Sequence, residues 1–316
     1  MKDLKIVFMG TPDFAVAILD RLIKENHNIV GVITAPDKPA GRGRKINESA
    51  VKKYAVQNNL KLLQPTNLKD PLFIEELKSL EANLQIIVAF RMLPEVVWNM
   101  PELGTFNLHA SLLPDYRGAA PINWAIINGE EKTGVSTFFL DDKIDTGEII
   151  LQKETTIAEN ETVGVLHDKL MHLGSDLVIE TLDLIKNDSV ITSTQPEKVA
   201  KSAYKIHTST CQIDWSDTLE NIYNLIRGLN PYPAAWSNFI TSNKESKLKI
   251  FDVEKEIAEH KYEIGKIIAT KKTMKVAVKN GFLHIHSLQI SGKKRMDIAS
   301  LLNGFSFGDD AMMLQN

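Results

Sequence analysis

Asn107 and His109 stand two residues apart in Phe106-Asn107-Leu108-His109, a run that reads as a short strand. Side chains alternate across a strand, so the two look out from one face. An amide there can donate to an oxygen on which negative charge develops, and an imidazole can donate or exchange a proton near neutral pH. Asp145, in the acidic turn Asp141-Asp142-Lys143-Ile144-Asp145-Thr146-Gly147-Glu148, offers a carboxylate to orient the ring. An Asn and a His this close more often serve structure than chemistry. The acidic partner and the length of the surrounding pattern tip the balance. The set needs no nucleophile: Ser111 is near, but no G-x-S-x-G elbow surrounds it. Such an arrangement fits direct transfer of an acyl-type group between two bound substrates. Asn107 and His109 would stabilise a tetrahedral oxyanion, while Asp145 would hold His109 and help take the proton from an attacking amine.

The elements that must position these residues follow a repeating plan. Ile6-Val7-Phe8-Met9, Ile29–Thr34, Leu62-Leu63, Leu84–Phe90 and the Asn107 strand are short apolar runs, read as buried strands. Helices are expected over about 12–25, from the Ser49 cap to Asn58, over 71–80 behind Asp70, after Pro94, and over 121–128. Strands separated by helices argue for an α/β fold, a doubly wound, mainly parallel sheet. Chemistry in such sheets gathers where a strand ends and a helix begins, as it does from His109 to Pro121. Gly10 stands without the rest of a G-x-G-x-x-G pattern, so no dinucleotide loop is read there. Val135–Leu140 is a further strand, and residues 163–185 carry a helical apolar stripe.

Residues 187–210 are rich in Ser, Thr, Asn and Gln and read as a connection between domains. Beyond them a helix is expected over 218–227, followed by a stiff aromatic turn at 230–236. Short alternating segments near 247–253, 264–269, 273–278 and 282–290 come next, with turns at Lys271-Lys272 and Asn280-Gly281. A small C-terminal OB-like β-barrel is the simplest closure. The expected division is 1–188, a linker over 189–206, and 207–316.

Composition excludes several classes. The 316 residues are 43% hydrophobic and 24% charged, a globular balance long enough for two domains. The net charge is -3, so no global basicity announces a nucleic-acid partner. Cys211 is the single cysteine, and no CxxC or His-rich metal spacing occurs, so neither a disulfide nor a metal is expected. No apolar run approaches the ~20 residues of a membrane helix. The reading is cytoplasmic, with no membrane partner.

Charge is uneven locally. Residues 36–53 hold six Lys/Arg (Lys38, Arg42, Arg44, Lys45, Lys52, Lys53) against Asp37 and Glu48, a local +4. Residues 261–295 hold nine Lys/Arg against Glu263, a local +8. Either stretch could be a solvated basic surface or a phosphate-contacting one.

Asn107-x-His109 followed by Ser111-Leu112-Leu113-Pro114, with Asp145 in Asp-Lys-Ile-Asp-Thr-Gly, resembles the 10-formyltetrahydrofolate-dependent formyltransferases. The resemblance implies a Rossmann-like core and a catalytic triad of Asn107, His109 and Asp145. It also implies a formyl-donor cosubstrate, 10-formyltetrahydrofolate, held by Ser111, Leu112, Leu113 and Pro114. The pterin would lie between the loop after Phe90 and the turn around Asp142. Further motifs are similar to the branch of that family acting on initiator methionyl-tRNA in translation initiation. They are Gly10–Phe14, Pro36–Gly43, Arg117–Ile122, Ile213–Trp215 and Asn230–Pro233. That branch implies tRNA contacts from Arg42, Lys38, Arg44 and Lys45, a basic barrel along the tRNA, no metal, and a monomer. The chain departs from the pattern at Arg91-Met92 and at Ser209–Gln212. The alternative, formyl transfer to an amino sugar nucleotide, would keep Asn107, His109 and Asp145 without needing either basic stretch.

Overall fold

The structure, a computed structural model, describes residues 2–40, 45–197 and 201–315. The chain divides into two compact units. One comprises Met1–Gly118, Thr133–Thr155 and His167–Ser202, the other Ala119–Lys132, Thr156–Leu166 and Ala203–Asn316.

The first unit begins with β1 (Lys5–Gly10), whose Ile6 to Met9 are fully buried, as befits a strand covered on both faces. Helix α1 (Asp13–Lys24) buries Phe14, Ala15, Ile18, Leu19 and Leu22 on one stripe, with Asp13 in its first turn and Lys24 in its last. Strand β2 (Asn28–Ile33) and the short antiparallel pair β3 (Lys38–Ala40) and β4 (Lys45–Asn47) follow. The Ser49 hydroxyl caps α2 (Ala50–Gln57) by accepting from Lys52 N. Then come β5 (Leu62–Leu63), α3 (Pro71–Ser79) behind its Asp70 cap, and β6 (Leu84–Val88). The four-residue α4 (Glu95–Trp98), β7 (Thr105–His109) and β8 (Arg117–Gly118) complete this stretch. After α5 (Pro121–Ile127), which belongs to the second unit, come β9 (Lys132–Phe139), β10 (Ile149–Thr156), the 24-residue α6 (Val163–Lys186) and β11 (Ser202–Ala203).

The first sheet runs in the order β10-β9-β7-β6-β1-β2-β5. Strands β5, β2, β1, β6 and β7 are parallel, and β9 pairs antiparallel to β7. This is the expected doubly wound, mainly parallel sheet. Chain order reverses between β1 and β6, and His109 is the last residue of β7 beside β6. The site therefore sits at the carboxyl ends of strands next to the switch point.

The second unit is built on α7 (Leu219–Leu229), capped by Thr218, and an antiparallel barrel. Its strands are β12 (Ala235–Thr241), β13 (Lys244–Ile257), β14 (Ile267–Ala269), β15 (Met274–Val278), β16 (Gly281–Ile290) and β17 (Met296–Asp297). Helix α8 (Ile298–Leu302) and β18 (Met312–Met313) end the barrel. The sheet runs β14-β15-β16-β13-β12-β18. Met313 N donates to Gly265 O at 2.8 Å and Ile267 N to Ala311 O at 3.1 Å, so β18 returns to the approach of β14 and the ring closes. Closure leaves few free edges. Ile213, Trp215, Ile226, Phe239, Val276 and Leu283 fill the interior.

Two local findings differ from expectation. Residues 235–241, partly read as a turn, form a strand with Ala235, Ser237, Phe239 and Thr241 buried. Its polar inward position is satisfied because the Trp215 indole donates to Ser237 Oγ at 2.9 Å. In the Asn280-Gly281 hairpin, Val278 pairs with Gly281, so the loop is Lys279-Asn280, with Asn280 at φ 61°. Gly281 already belongs to the strand. A Cβ there would lie 2.2 Å from Glu256 O, which explains the glycine.

Candidate active site

His109 is buried, 6% exposed. Its Nε2 lies 2.8 Å from the Tyr116 carbonyl oxygen. A carbonyl only accepts, so Nε2 carries the proton of that bond. This commits Nε2 as a donor and leaves Nδ1 for proton exchange. Nδ1 is 3.8 Å from Asp145 Oδ2, within ion-pair reach. Gly118 N donates to the same Oδ2 at 2.9 Å, which fixes the carboxylate against its neighbours. Tyr116 and Asp145 thus hold His109 from two sides, and both occupy the left-handed region, at φ 61° and 56°. Such non-glycine conformations cost on the order of 1 kcal/mol each and cluster at functional sites. Asn107 shares the face of β7 with His109 and is half-buried, with its backbone in register with Phe138. The structure thus brings His109 and Asp145 together, with Asn107 one strand repeat away.

The next loop is tied down from below. Buried Ser136 Oγ donates to Ser111 O at 2.7 Å and accepts from Leu113 N at 3.1 Å. The Gln152 amide donates to Leu113 O and to Ser136 Oγ, each at 2.8 Å. Ser111 Oγ donates to Asp115 O at 2.7 Å, so its hydroxyl is spent inside the loop. Leu113 is buried with Phe138 and Ile149, and the Leu113-Pro114 peptide is cis. Leu112 and Pro114 keep partly exposed faces. Phe90 is half-buried against the cluster containing Leu93 and Leu140. Arg91, the departure noted above, bonds the backbone oxygens of Pro65 and Thr66 and lies over the Phe90 ring, 5.6 Å from its centroid. It staples the loop after β6 to a neighbouring turn. Asp142 is exposed, whereas Asp141 organises the acidic turn by accepting from Lys143 N at 3.0 Å and from Thr146 Oγ1 at 2.7 Å.

Sequence reasoning missed Gln195. Its amide donates to Gly147 O at 2.7 Å and to Asp145 O at 3.1 Å, and its Oε1 accepts from Arg117 Nε and Nη2 at 3.1 and 2.9 Å. It is 8% exposed. Thr192 Oγ1 donates to Glu148 Oε2 at 2.6 Å nearby, so residues 192–195 clasp the turn that carries Asp145. Gly147 allows the turn to pass close to β9, since a Cβ there would lie 1.7 Å from Phe139 O.

One lysine of the basic stretch takes both of its acids. Lys52 bonds Asp37 and lies 2.8 Å from Glu48 Oε1, so both acids of the +4 segment face one lysine. The bond from Lys52 holds the Asp37 carboxyl below its usual range. Lys38 is exposed, Arg42 and Arg44 lie outside the described residues, and so does the Lys45 side chain. In the barrel, Lys275 pairs with Glu256 at 2.8 Å, and Arg295 lies over Phe251, 4.3 Å from the ring centroid. Among the described residues, no group of His, Cys, Asp and Glu could hold a metal ion, and no helix is long and apolar enough to cross a membrane.

Comparison with known proteins agrees with this architecture. The formyl transferase family model matches residues 4–182, and the model described as formyl transferase, C-terminal domain, matches residues 205–306. A methionyl-tRNA formyltransferase of Flavobacterium johnsoniae is 62% identical over 312 residues, 98% of this chain and 99% of that one. One of Bacteroides thetaiotaomicron is 54% identical over 318 residues, 99% of each chain. An N-formyltransferase from Helicobacter canadensis, solved with folinic acid and dTDP-3-aminofucose, shares the fold. Its TM-score is 0.65 at 20% identity, over 93% of this chain and 100% of that one. With its buried imidazole–carboxylate pair at the carboxyl end of β7 and both domain models matched in order, this chain belongs to the formyl transferase family.

Proposed function

We propose that the protein transfers a formyl group from 10-formyltetrahydrofolate to the α-amino group of initiator methionyl-tRNA, acting in translation initiation as a cytoplasmic monomer. The observation that carries this is end-to-end identity of 54–62% with methionyl-tRNA formyltransferases. In this reading residues 1–188 hold the chemistry and residues 207–316 meet the tRNA.

Asn107 donates its amide N–H to the formyl oxygen as the amine attacks, where a positioned donor is most effective. His109, its Nε2–H anchored on Tyr116 O, turns Nδ1 toward Asp145 as the site's proton carrier. Asp145 takes the proton released by the amine and passes it to Nδ1, whose imidazolium then faces the charged oxygen; as the bond from the formyl carbon to N10 breaks, that proton moves on to N10 and tetrahydrofolate leaves. Residues present for the donor fit a flat heterocycle: partly exposed Leu112 and Pro114 and the half-buried Phe90 ring offer apolar and aromatic surface. Ser111 and Leu113 act by shaping the loop, and exposed Asp142 is the polar contact at its rim. The donor supplies the activated one-carbon unit. Lys38, Arg42, Arg44 and Lys45 contact tRNA phosphates from the basic stretch.

The test mixes the protein with 10-formyltetrahydrofolate and methionine-charged initiator tRNA and measures formyl-methionine. Formylation of an amino sugar nucleotide with none of methionyl-tRNA would sink the reading.

A further inference from the structure

The second unit contains a cavity of about 510 Å³ that none of the roles above uses. Its size is within the range of pockets that hold small ligands. Lys205, His207, Tyr232, Trp236, Lys247 and Lys249 line it. The chemistry of the lining is selective. Tyr232 is 81% exposed and His207 and Lys205 are exposed, so flat rings and an ammonium stand at the rim. Lys247 Nζ lies over the Trp236 ring, 3.3 Å from its centroid, so an ammonium covers the indole face that a ligand ring would take. The indole N–H is spent on Thr208 O at 2.8 Å, and Lys249 Nζ reaches Pro233 O at 3.0 Å. The lining offers a ligand aromatic surface and three ammonium groups, of which Lys247 rests on Trp236 and Lys249 on Pro233 O. That is a site for an anion carrying a planar ring.

We propose that this cavity takes one unpaired nucleotide of the tRNA, its base stacked on Trp236 and Tyr232 and its phosphate held by Lys247 and Lys249. Stacking on aromatic side chains beside lysines is the general means of holding single-stranded nucleic acid, because every base has a π-face. Lys247, on a flexible four-carbon stem, moves from the indole to the phosphate as the base takes its place. The site is distinct from the basic stretch at 36–53. The inference rests on the tRNA reading above for its ligand, and its test separates the two.

The test is equilibrium binding of uncharged initiator tRNA, followed by filter retention over a salt series, alongside KM and kcat for formylation. Tyr232→Ala and Trp236→Leu should each weaken tRNA binding by roughly 5- to 100-fold. Trp236→Phe should restore most of the loss. Lys247→Gln and Lys249→Gln should each reduce the slope of log K against log salt by about one. The effect should fall on KM for tRNA, with kcat within about threefold. Trp236 touches the barrel core, so Tyr232→Ala, at an exposed position, decides the matter if Trp236→Leu fails to fold. Unchanged tRNA affinity and salt slope in Tyr232→Ala and in the lysine variants would overturn the pocket, even with formylation intact. Normal tRNA binding that is lost in these variants, without any formyl-methionine, would support the pocket and defeat the formylation reading. Titration with AMP tests a free nucleotide as the source. Saturable quenching of tryptophan fluorescence by AMP, with tRNA affinity unaltered in the variants, would overturn the assignment to tRNA.

Discussion

Gln195→Glu tests how the carboxylate of Asp145 is held. The native side chain donates to Asp145 O and Gly147 O and accepts from Arg117. Glutamate keeps the shape and offers Arg117 a carboxylate, but it cannot donate. Two carbonyls of the turn then lose their partner in a place only 8% exposed. Leaving a buried acceptor unsatisfied costs about 1–3 kcal/mol, and the new ion pair with Arg117 offsets part of it. A net loss of about 2 kcal/mol would lower the melting temperature by roughly 4–8 °C in a domain of this size. The larger effect should be on turnover. Asp145 sits at φ 56°, a conformation that persists only while its surroundings enforce it. With the turn released, Oδ2 drifts from His109 Nδ1, and displacements on the order of 1 Å can cost about 10²-fold in rate. We expect kcat to fall about 10- to 100-fold with KM for methionyl-tRNA changed less than about threefold. The assay is steady-state formylation with the folded fraction checked by circular dichroism. A kcat within about twofold of wild type would refute the idea that Gln195 positions Asp145.

Other variants probe separate parts of the scheme. His109→Ala should lower kcat by ~10²-fold or more, as the loss of an oxyanion donor and proton carrier does; a near-normal rate removes His109 from its role. Arg42→Ala should raise KM for tRNA and reduce its salt slope by about one without altering the apparent KM for the folate. An unchanged tRNA KM at every salt concentration contradicts that contact. Burial and the bond to Asp20 push the Tyr54 phenol up to about 12 from 10.0. The folded chain therefore keeps a proton that the unfolded chain releases above pH 10, and this stabilisation is lost as pH rises through about 12. Melting temperature measured from pH 9 to 12 should decline less steeply in Tyr54→Phe, and an identical decline would exclude Tyr54 as a cause.

Legibility in the sequence followed how local each relation is. The parallel strands announced themselves because strands buried on both faces are unbroken apolar runs, as in Ile6–Met9. Ser49 and Asp70 could be named as caps because a cap acts within three residues. Asn107 and His109 were legible because strand alternation alone puts them on one face. Gln195 was not. It lies in a polar stretch that composition marks as a connection, and its partner Asp145 is 50 residues earlier. Strand β12 was obscured for a related reason: its inward Ser237 breaks the apolar alternation, and the Trp215 indole that satisfies it is 22 residues away. A count of charges could not show that one residue, Lys52, takes both acids of the first basic stretch, an arrangement that leaves its net of +4 unchanged.

The segments composing the second unit set a condition on how it can form. Asn123 Nδ2 donates to Gly228 O across 105 residues, and Arg227 Nη1 reaches Glu161 O across 66. Helix α5 and residues 156–166 are thus structural parts of a body whose barrel is encoded much later. Contacts of such long range close slowly, because the intervening loop must be ordered first. During synthesis, α5 emerges long before its partner α7 and must wait with its apolar side uncovered. A fragment cut at residue 207 would be missing two of its own walls, so the barrel and its helix form one folding unit only with the middle of the chain present.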